Sequence, residues 1–160
     1  MIKGIKKENL TFLLSTFIFI TIYYKFDISL GFNPTDEGRN FAYFEKIIRG
    51  EVPHKDFLHI HFIGSTFFHF YQELIPSHNI QISRLQSSIF IIFYTYVFLY
   101  LHPIFEKFNL VVKNVLLISV SVINFHIFPL FSWPTVDGLF LFALFLYLEN
   151  KLQNKYSKYT

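Results

Sequence analysis

The chain has 160 residues, of which 52% are hydrophobic, 21% aromatic and only 16% charged, whereas about 25% of the residues in a soluble domain are charged. So few polar side chains argue against a soluble fold, and the long uncharged segments favour an integral membrane protein. The net charge of +3 is not gathered into a dense basic face, so nucleic acid is not an expected partner. The absence of Cys excludes disulfides and thiolate metal sites.

The first predicted span covers residues 9–30. It follows a Lys-rich N-terminal segment, and its uncharged part runs over residues 10–24. A secretory signal peptide would end in a small-x-small cleavage site, whereas this run ends in Tyr23, Tyr24 and Lys25. We therefore predict an uncleaved membrane anchor.

The next segment, residues 31–84, is more polar and is predicted to be an outer loop with two surface helices. In residues 37–49, apolar side chains recur at helical spacing among charged ones, which is typical of an amphipathic helix on a membrane surface. Residues 57–75 begin with an uncharged stretch, but it contains three His residues, a Gly and several hydroxyls. We interpret this stretch as a second surface helix, because so many polar groups are unsuited to a lipid-exposed span.

Three further spans are predicted at residues 85–105, 112–130 and 137–152. The first two overlap the uncharged stretches 85–105 and 114–136, each of which, at about 1.5 Å per residue, can cross a hydrocarbon layer of about 30 Å. The uncharged part of the third, residues 138–148, is short, because Glu149 and Lys151 come next in the chain. This span would have to tilt, or these two side chains would have to snorkel to the membrane surface. The fold class predicted is all-α integral membrane, a single domain over residues 1–160 with about four transmembrane helices.

The distribution of lysines predicts the orientation of these spans. With four spans, the inner segments hold eight basic residues, namely Lys3, Lys6, Lys7, Lys107, Lys113, Lys151, Lys155 and Lys158. Such an excess agrees with the positive-inside tendency, so we predict a multi-pass protein of the cell membrane with both termini cytoplasmic. If residues 57–72 crossed the membrane instead, the Lys-rich C-terminal segment would lie outside.

Several short motifs follow one another in the outer loop. An acidic pair, Asp36 and Glu37, comes after the first span, and residues 50–57 form a Gly-Pro-Asp segment behind the amphipathic helix. His61 comes next, and Arg84 with Leu85 opens the following span. This ordered set resembles the first extracytoplasmic loop of the GT-C membrane glycosyltransferases, in particular the protein mannosyltransferases, the lipid A aminoarabinose transferases and related bacterial sugar transferases.

The chain departs from the pattern of that family at two points. His54 lies where Tyr is usual, and Phe62 and Ile63 occupy the positions of two prolines. Farther on, residues 133–138 resemble the second outer loop of these enzymes, which often carries another acid, here Asp137. The resemblance covers residues 1 to about 150, the N-terminal third or so of a usual family member.

The resemblance implies transfer of a sugar from a polyprenyl-phosphate donor to an acceptor on the extracytoplasmic side, with inversion. The catalytic acids it implies are Asp36, Glu37 and Asp137. We expect Arg84 or Lys55 to face the donor phosphate, and by resemblance His61 to orient the acceptor. A divalent cation is left open as a cofactor, whereas a zinc site among the histidines is not expected.

These residues also have simpler structural interpretations. Asp36 could cap the helix that begins at Glu37, and Glu37 could favour the positive end of that helix. Asp137 beside Gly138 could belong to a turn, and Arg84 could anchor its span in the headgroups.

Two functions from different classes are therefore open. The first is a membrane glycosyltransferase or its N-terminal module, with a polyprenyl-phosphate sugar and membrane lipid as partners and a second polypeptide completing the site. The second is a truncated, non-catalytic membrane protein or a subunit that docks on a partner. Because GT-C enzymes usually enclose the lipid donor with several more spans, we expect the chain alone to be inactive or nearly so.

Overall fold

The computed structural model of the protein describes residues 16–22, 33–60, 63–69, 80–128, 131 and 133–156. Within these ranges the secondary structure is helical, apart from turns and one isolated bridge between Pro53 and Phe57. In chain order the helices are α1 (residues 16–22), α2 (Asp36–Ile48), α3 (Ile63–His69), α4 (Ile80–Tyr100), α5 (Pro103–Glu106), α6 (Leu110–Ile127) and α7 (Pro134–Tyr156). The chain is therefore all-α in the part described, as predicted.

Two of the described helices, α4 and α6, are long and apolar enough to cross a membrane. The mean hydropathy is 1.4 over Ile80–Leu99 and 1.8 over Leu110–Ile127. The two helices differ in their surroundings, because 56% of the α4 segment but only 17% of the α6 segment is buried inside the protein. Helix α4 is thus the central helix, and most residues of α6 are exposed or half-buried.

Helix α4 ends earlier than the predicted span at residues 85–105. Its last residue is Tyr100, and a new short helix begins at Pro103. Proline has no backbone N–H and disfavours helical geometry in the residue before it, so a helix tends to end there. His102 caps the new helix by accepting the backbone N–H of Ile104 at its side chain, over 3.3 Å.

Helix α7 packs chiefly against α4 through aromatic rings. Phe140 stacks on Phe90 with 3.9 Å between ring centroids, and Tyr147 meets Phe93 edge-on at 6.2 Å. Val136 and Ala143 are fully buried on the same helix. The helix continues to Tyr156, four residues beyond the predicted span at 137–152.

Of the predicted first span at residues 9–30, the described part is α1. Its Phe19 stacks on Phe125 of α6 at 6.0 Å, so this segment packs against the helix bundle.

The bounds of helix α2 are within one residue of those predicted at residues 37–49. The polar contacts at the start of this helix are formed by Asn33. The Asn33 side-chain oxygen accepts the backbone N–H groups of Thr35 and Asp36 at 3.0 and 3.1 Å. Asp36 therefore lies inside the first turn, where it does not cap the helix. At the other end the chain leaves α2 through Gly50, whose φ of 85° is a conformation that glycine adopts without strain.

The segment predicted as a helix at residues 57–75 has a different form at its start. A compact turn precedes it. In this turn the Asp56 carboxylate accepts the backbone N–H of Val52 at 2.7 Å. The backbone N–H of His54, whose φ is 64°, donates to the carbonyl of Phe57 at 2.9 Å. These bonds hold residues 57–60 outside any helix, and the described helix α3 begins at Ile63.

Candidate functional site

A layer of polar side chains, of which four are buried and Ser65 is half-buried, joins α2 and α3 to the first two turns of α4 and α7. We call it the polar layer and define it by Glu37, Ser65, His69, Arg84 and Asp137. Helix α3 packs against both α2 and α7, and it contributes Ser65 and His69 to the contacts within this layer.

The first contact in the polar layer is a two-pronged ion pair between Glu37 and Arg84. Arg84 Nε donates to Glu37 Oε1 at 2.6 Å, and a terminal guanidinium nitrogen donates to Oε2 at 2.7 Å. Glu37 is 1% exposed and Arg84 is 8% exposed. The Glu37 carboxylate also accepts the backbone N–H of Asn33 at 2.9 Å, so the pair fixes the start of α2 against α4.

The second contact is formed by Asp137 in the first turn of α7. Its Oδ1 lies 2.8 Å from His69 Nε2, and its Oδ2 accepts the hydroxyl of Ser65. His69 is fully buried and Asp137 is 3% exposed. Because Ser65 and His69 are four positions apart, they share one face of α3, and together they hold that face against α7.

The two contacts lie close to each other within the layer. The ring of His69 lies 6.5 Å from Phe44 of α2 and 6.1 Å from Phe90 of α4. Phe44 and Phe90 follow Glu37 and Arg84 by about two helical turns, so His69 contacts the same two helices that the ion pair joins. Two predicted catalytic acids and one predicted phosphate-binding residue therefore belong to one layer.

Asp36 occupies a different environment from its neighbour Glu37. Its side chain is 31% exposed, and its Oδ1 is 2.9 Å from the guanidinium of Arg39. Its Oδ2 accepts the side-chain amide of Asn33 at 3.3 Å. Of the three predicted catalytic acids, Asp36 is thus the one in contact with solvent, and two neighbours orient it.

Of the other predicted site residues, Lys55 does not belong to the polar layer. Lys55 is exposed on the turn that follows α2. His61 lies outside the described residues. In the described part of the chain, no three His, Asp or Glu side chains are close enough together to hold a metal ion.

Two histidines form contacts that the sequence motifs did not indicate. The sequence motifs assigned no role to His69, and its partner Asp137 is 68 positions away. His59, which is 3% exposed, pairs with the hydroxyl of Thr66 at 2.6 Å and packs on Tyr43 with 4.4 Å between ring centroids. Local spacing carries no signal for the contact with Asp137, because the partner belongs to a distant helix.

Comparison of the chain with protein-family models, with curated proteins and with solved structures gives no match. The function of the chain is therefore inferred from the polar layer, from Asp36 and from the resemblance of the ordered motifs.

Proposed function

We propose that this chain is a membrane glycosyltransferase of the GT-C type, or the N-terminal module of one, which transfers a sugar from a polyprenyl-phosphate donor to an acceptor at the extracytoplasmic surface. The observation that supports this most directly is the contrast between the three acids. Asp36 is accessible and oriented, whereas Glu37 and Asp137 are buried and already paired. A general base has to reach the proton that it removes, and Asp36 meets this requirement.

In the proposed reaction, the Asp36 carboxylate accepts the proton of the acceptor hydroxyl. The hydroxyl oxygen forms a bond to C1 of the sugar, while the bond from C1 to the phosphate oxygen breaks and polyprenyl phosphate leaves. The Glu37–Arg84 pair positions Asp36, because it holds the same turn of α2 against α4. Cations stabilise the departing phosphate, and the exposed Lys55 is proposed for this role, with His61 orienting the acceptor. Arg84 acts through its pair with Glu37.

The proposed arrangement in the membrane has four spans, with residues 25–84 outside and both termini in the cytoplasm. Since the chain has no Cys, single-Cys variants give a direct test. A membrane-impermeant maleimide added to intact cells is expected to label the Lys55→Cys variant but not Lys155→Cys or Lys107→Cys. Permeabilised cells, in which all three positions should react, are the control. Strong labelling at position 155 from outside would contradict the four-span arrangement.

The catalytic proposal is tested by a transfer assay in membranes in which the chain is co-expressed with the genes that neighbour its own. Transfer from a polyprenyl-phosphate sugar is expected in this combination and not with the 160-residue chain alone. The Asp36→Asn variant is expected to lose about 10²-fold or more of the activity, because the amide keeps the shape of the side chain but cannot accept the proton.

The matched control is Glu45→Gln, which neutralises an exposed acid on the same helix. Both variants should insert into membranes as the original chain does. Activity that is unchanged by Asp36→Asn would refute the assignment of the base, and robust transfer by the purified chain would refute the view of it as a module.

A non-catalytic subunit is the second candidate, and a specific observation favours it. The buried acids Glu37 and Asp137 each have protein partners at both carboxylate oxygens, as in a network whose role is to hold helices together. Under this alternative, no polyprenyl-phosphate sugar is consumed in the co-expression assay, and Asp36→Asn has no effect on the assembly with a partner.

A further inference from the structure

Two large apolar side chains project from the short segment that leads into α3. Leu58 is 80% exposed and Ile60 is 60% exposed, whereas His59 between them is 3% exposed. In a non-helical segment of this kind, side chains two positions apart point to the same side. Leu58 and Ile60 thus form one outward-facing surface, which we call the apolar wedge.

The wedge is built on rigid contacts. His59 is held by its 2.6 Å contact with Thr66 of α3 and by the ring of Tyr43 on α2. Phe57 stacks on the same tyrosine at 5.6 Å, and Lys46 lies over the Phe57 ring at 5.0 Å. The exposure of Leu58 and Ile60 is therefore a consequence of how His59 and Phe57 are anchored on α2 and α3.

The helices that anchor the wedge are themselves attached to the ends of long helices. Helix α2 is joined to the second turn of α4 by the Glu37–Arg84 pair, and α3 is joined to the first turn of α7 by Asp137. Helix α4 is one of the two helices able to cross a membrane, and the ends of such a helix lie at the boundary between lipid and water. The wedge is thus carried at the level of that boundary.

The turn before the wedge also has the composition of a membrane interface. His54, Lys55 and Asp56 are exposed there, and Phe57 separates them from the apolar pair. Cationic and aromatic side chains beside apolar ones are typical of segments that lie in the headgroup region. A soluble surface would have no reason to hold two large aliphatic side chains rigidly in water.

We propose that the apolar wedge inserts into the boundary between headgroups and acyl chains of the leaflet that faces the α2–α3 pair. Leu58 and Ile60 then act as a second membrane anchor beside the spans, and they hold helix α2, which carries Asp36, at a constant height on the bilayer. The inference depends on α4 spanning the membrane and is independent of whether the chain transfers sugars.

Spin labels on single-Cys variants of the full chain in phosphatidylcholine vesicles test the proposal. Leu58→Cys and Ile60→Cys report on the wedge, and Lys55→Cys on the same turn is the matched control. Collisions of each label are measured with oxygen, which concentrates among acyl chains, and with a nickel chelate, which stays in water. The ratio of oxygen to nickel accessibility is expected to be several-fold higher at positions 58 and 60 than at position 55.

Two results would overturn the proposal. Ratios at 58 and 60 equal to that at 55 would mean that the wedge is in water. Low accessibility to both reagents would mean that a second copy of the chain or another protein covers it. Position 60 keeps the test valid if the label at 58 disturbs the segment, and circular dichroism of each variant checks that the helices are retained.

Discussion

The Arg84→Met variant is expected to be less stable than the original chain by about 3–5 kcal/mol, because it leaves the Glu37 carboxylate buried without a counter-charge. Glu37 is 1% exposed and takes both of its strong hydrogen bonds from the guanidinium. The double variant Glu37→Met with Arg84→Met removes both charges and is expected to recover most of this loss. The free energy of unfolding is measured by titrating sodium dodecyl sulfate into the protein in mild detergent micelles and following helicity.

The Arg49→Met variant is the control for the buried pair. Arg49 pairs with Glu45 on the same helix α2, but the two side chains are 67% and 54% exposed. An exposed pair of this kind contributes about 0–1 kcal/mol. A loss of stability in Arg84→Met no larger than in Arg49→Met would contradict the buried position of the Glu37–Arg84 pair.

The Asp137→Ala variant is expected to lose about 2–4 kcal/mol, because it leaves both His69 and Ser65 without their carboxylate partner. The effect should be local, since these two side chains attach α3 to α7. Hydrogen exchange is therefore expected to accelerate in the amides of α3 and to change little in α6. Asp137→Asn should lose less, because the amide can still bond to both partners.

The control for Asp137 is Glu149→Gln on the same helix. Glu149 is exposed, and its carboxylate accepts the side-chain amide of Gln153 at 3.1 Å. Exposed substitutions of this kind usually change stability by about 0.5 kcal/mol or less. If the backbone amides of α3 exchange equally fast in the Asp137→Ala and Glu149→Gln variants, the contacts of Asp137 do not hold α3 in place.

The sequence by itself determined the elements whose signal is local. Uncharged stretches predicted the two helices able to cross a membrane, because composition and length decide whether a segment can lie in hydrocarbon. The apolar repeat predicted α2, since helical spacing is visible in a single segment. The ends of these elements were predicted less accurately, as the end of α4 before Pro103 and the turn closed by Asp56 show.

Only the tertiary structure decided which polar residues are partners. Glu37 pairs with Arg84, which is 47 positions away in the sequence, and Asp137 contacts His69, which is 68 positions away. Nothing in the local pattern of either segment specifies these pairs, because burial and contact depend on how separate helices pack.

Asp36 and Glu37 illustrate the difference most clearly. They are adjacent in the chain and are both carboxylates, and the family resemblance implied that both are catalytic acids. On a helix with about 3.6 residues per turn, however, neighbouring side chains point in directions about 100° apart. The Glu37 side chain points towards α4 and pairs with Arg84, whereas the Asp36 side chain points towards solvent and pairs with Arg39. The contact of α2 with Arg84 of α4 thus separates a buried acid from an accessible one.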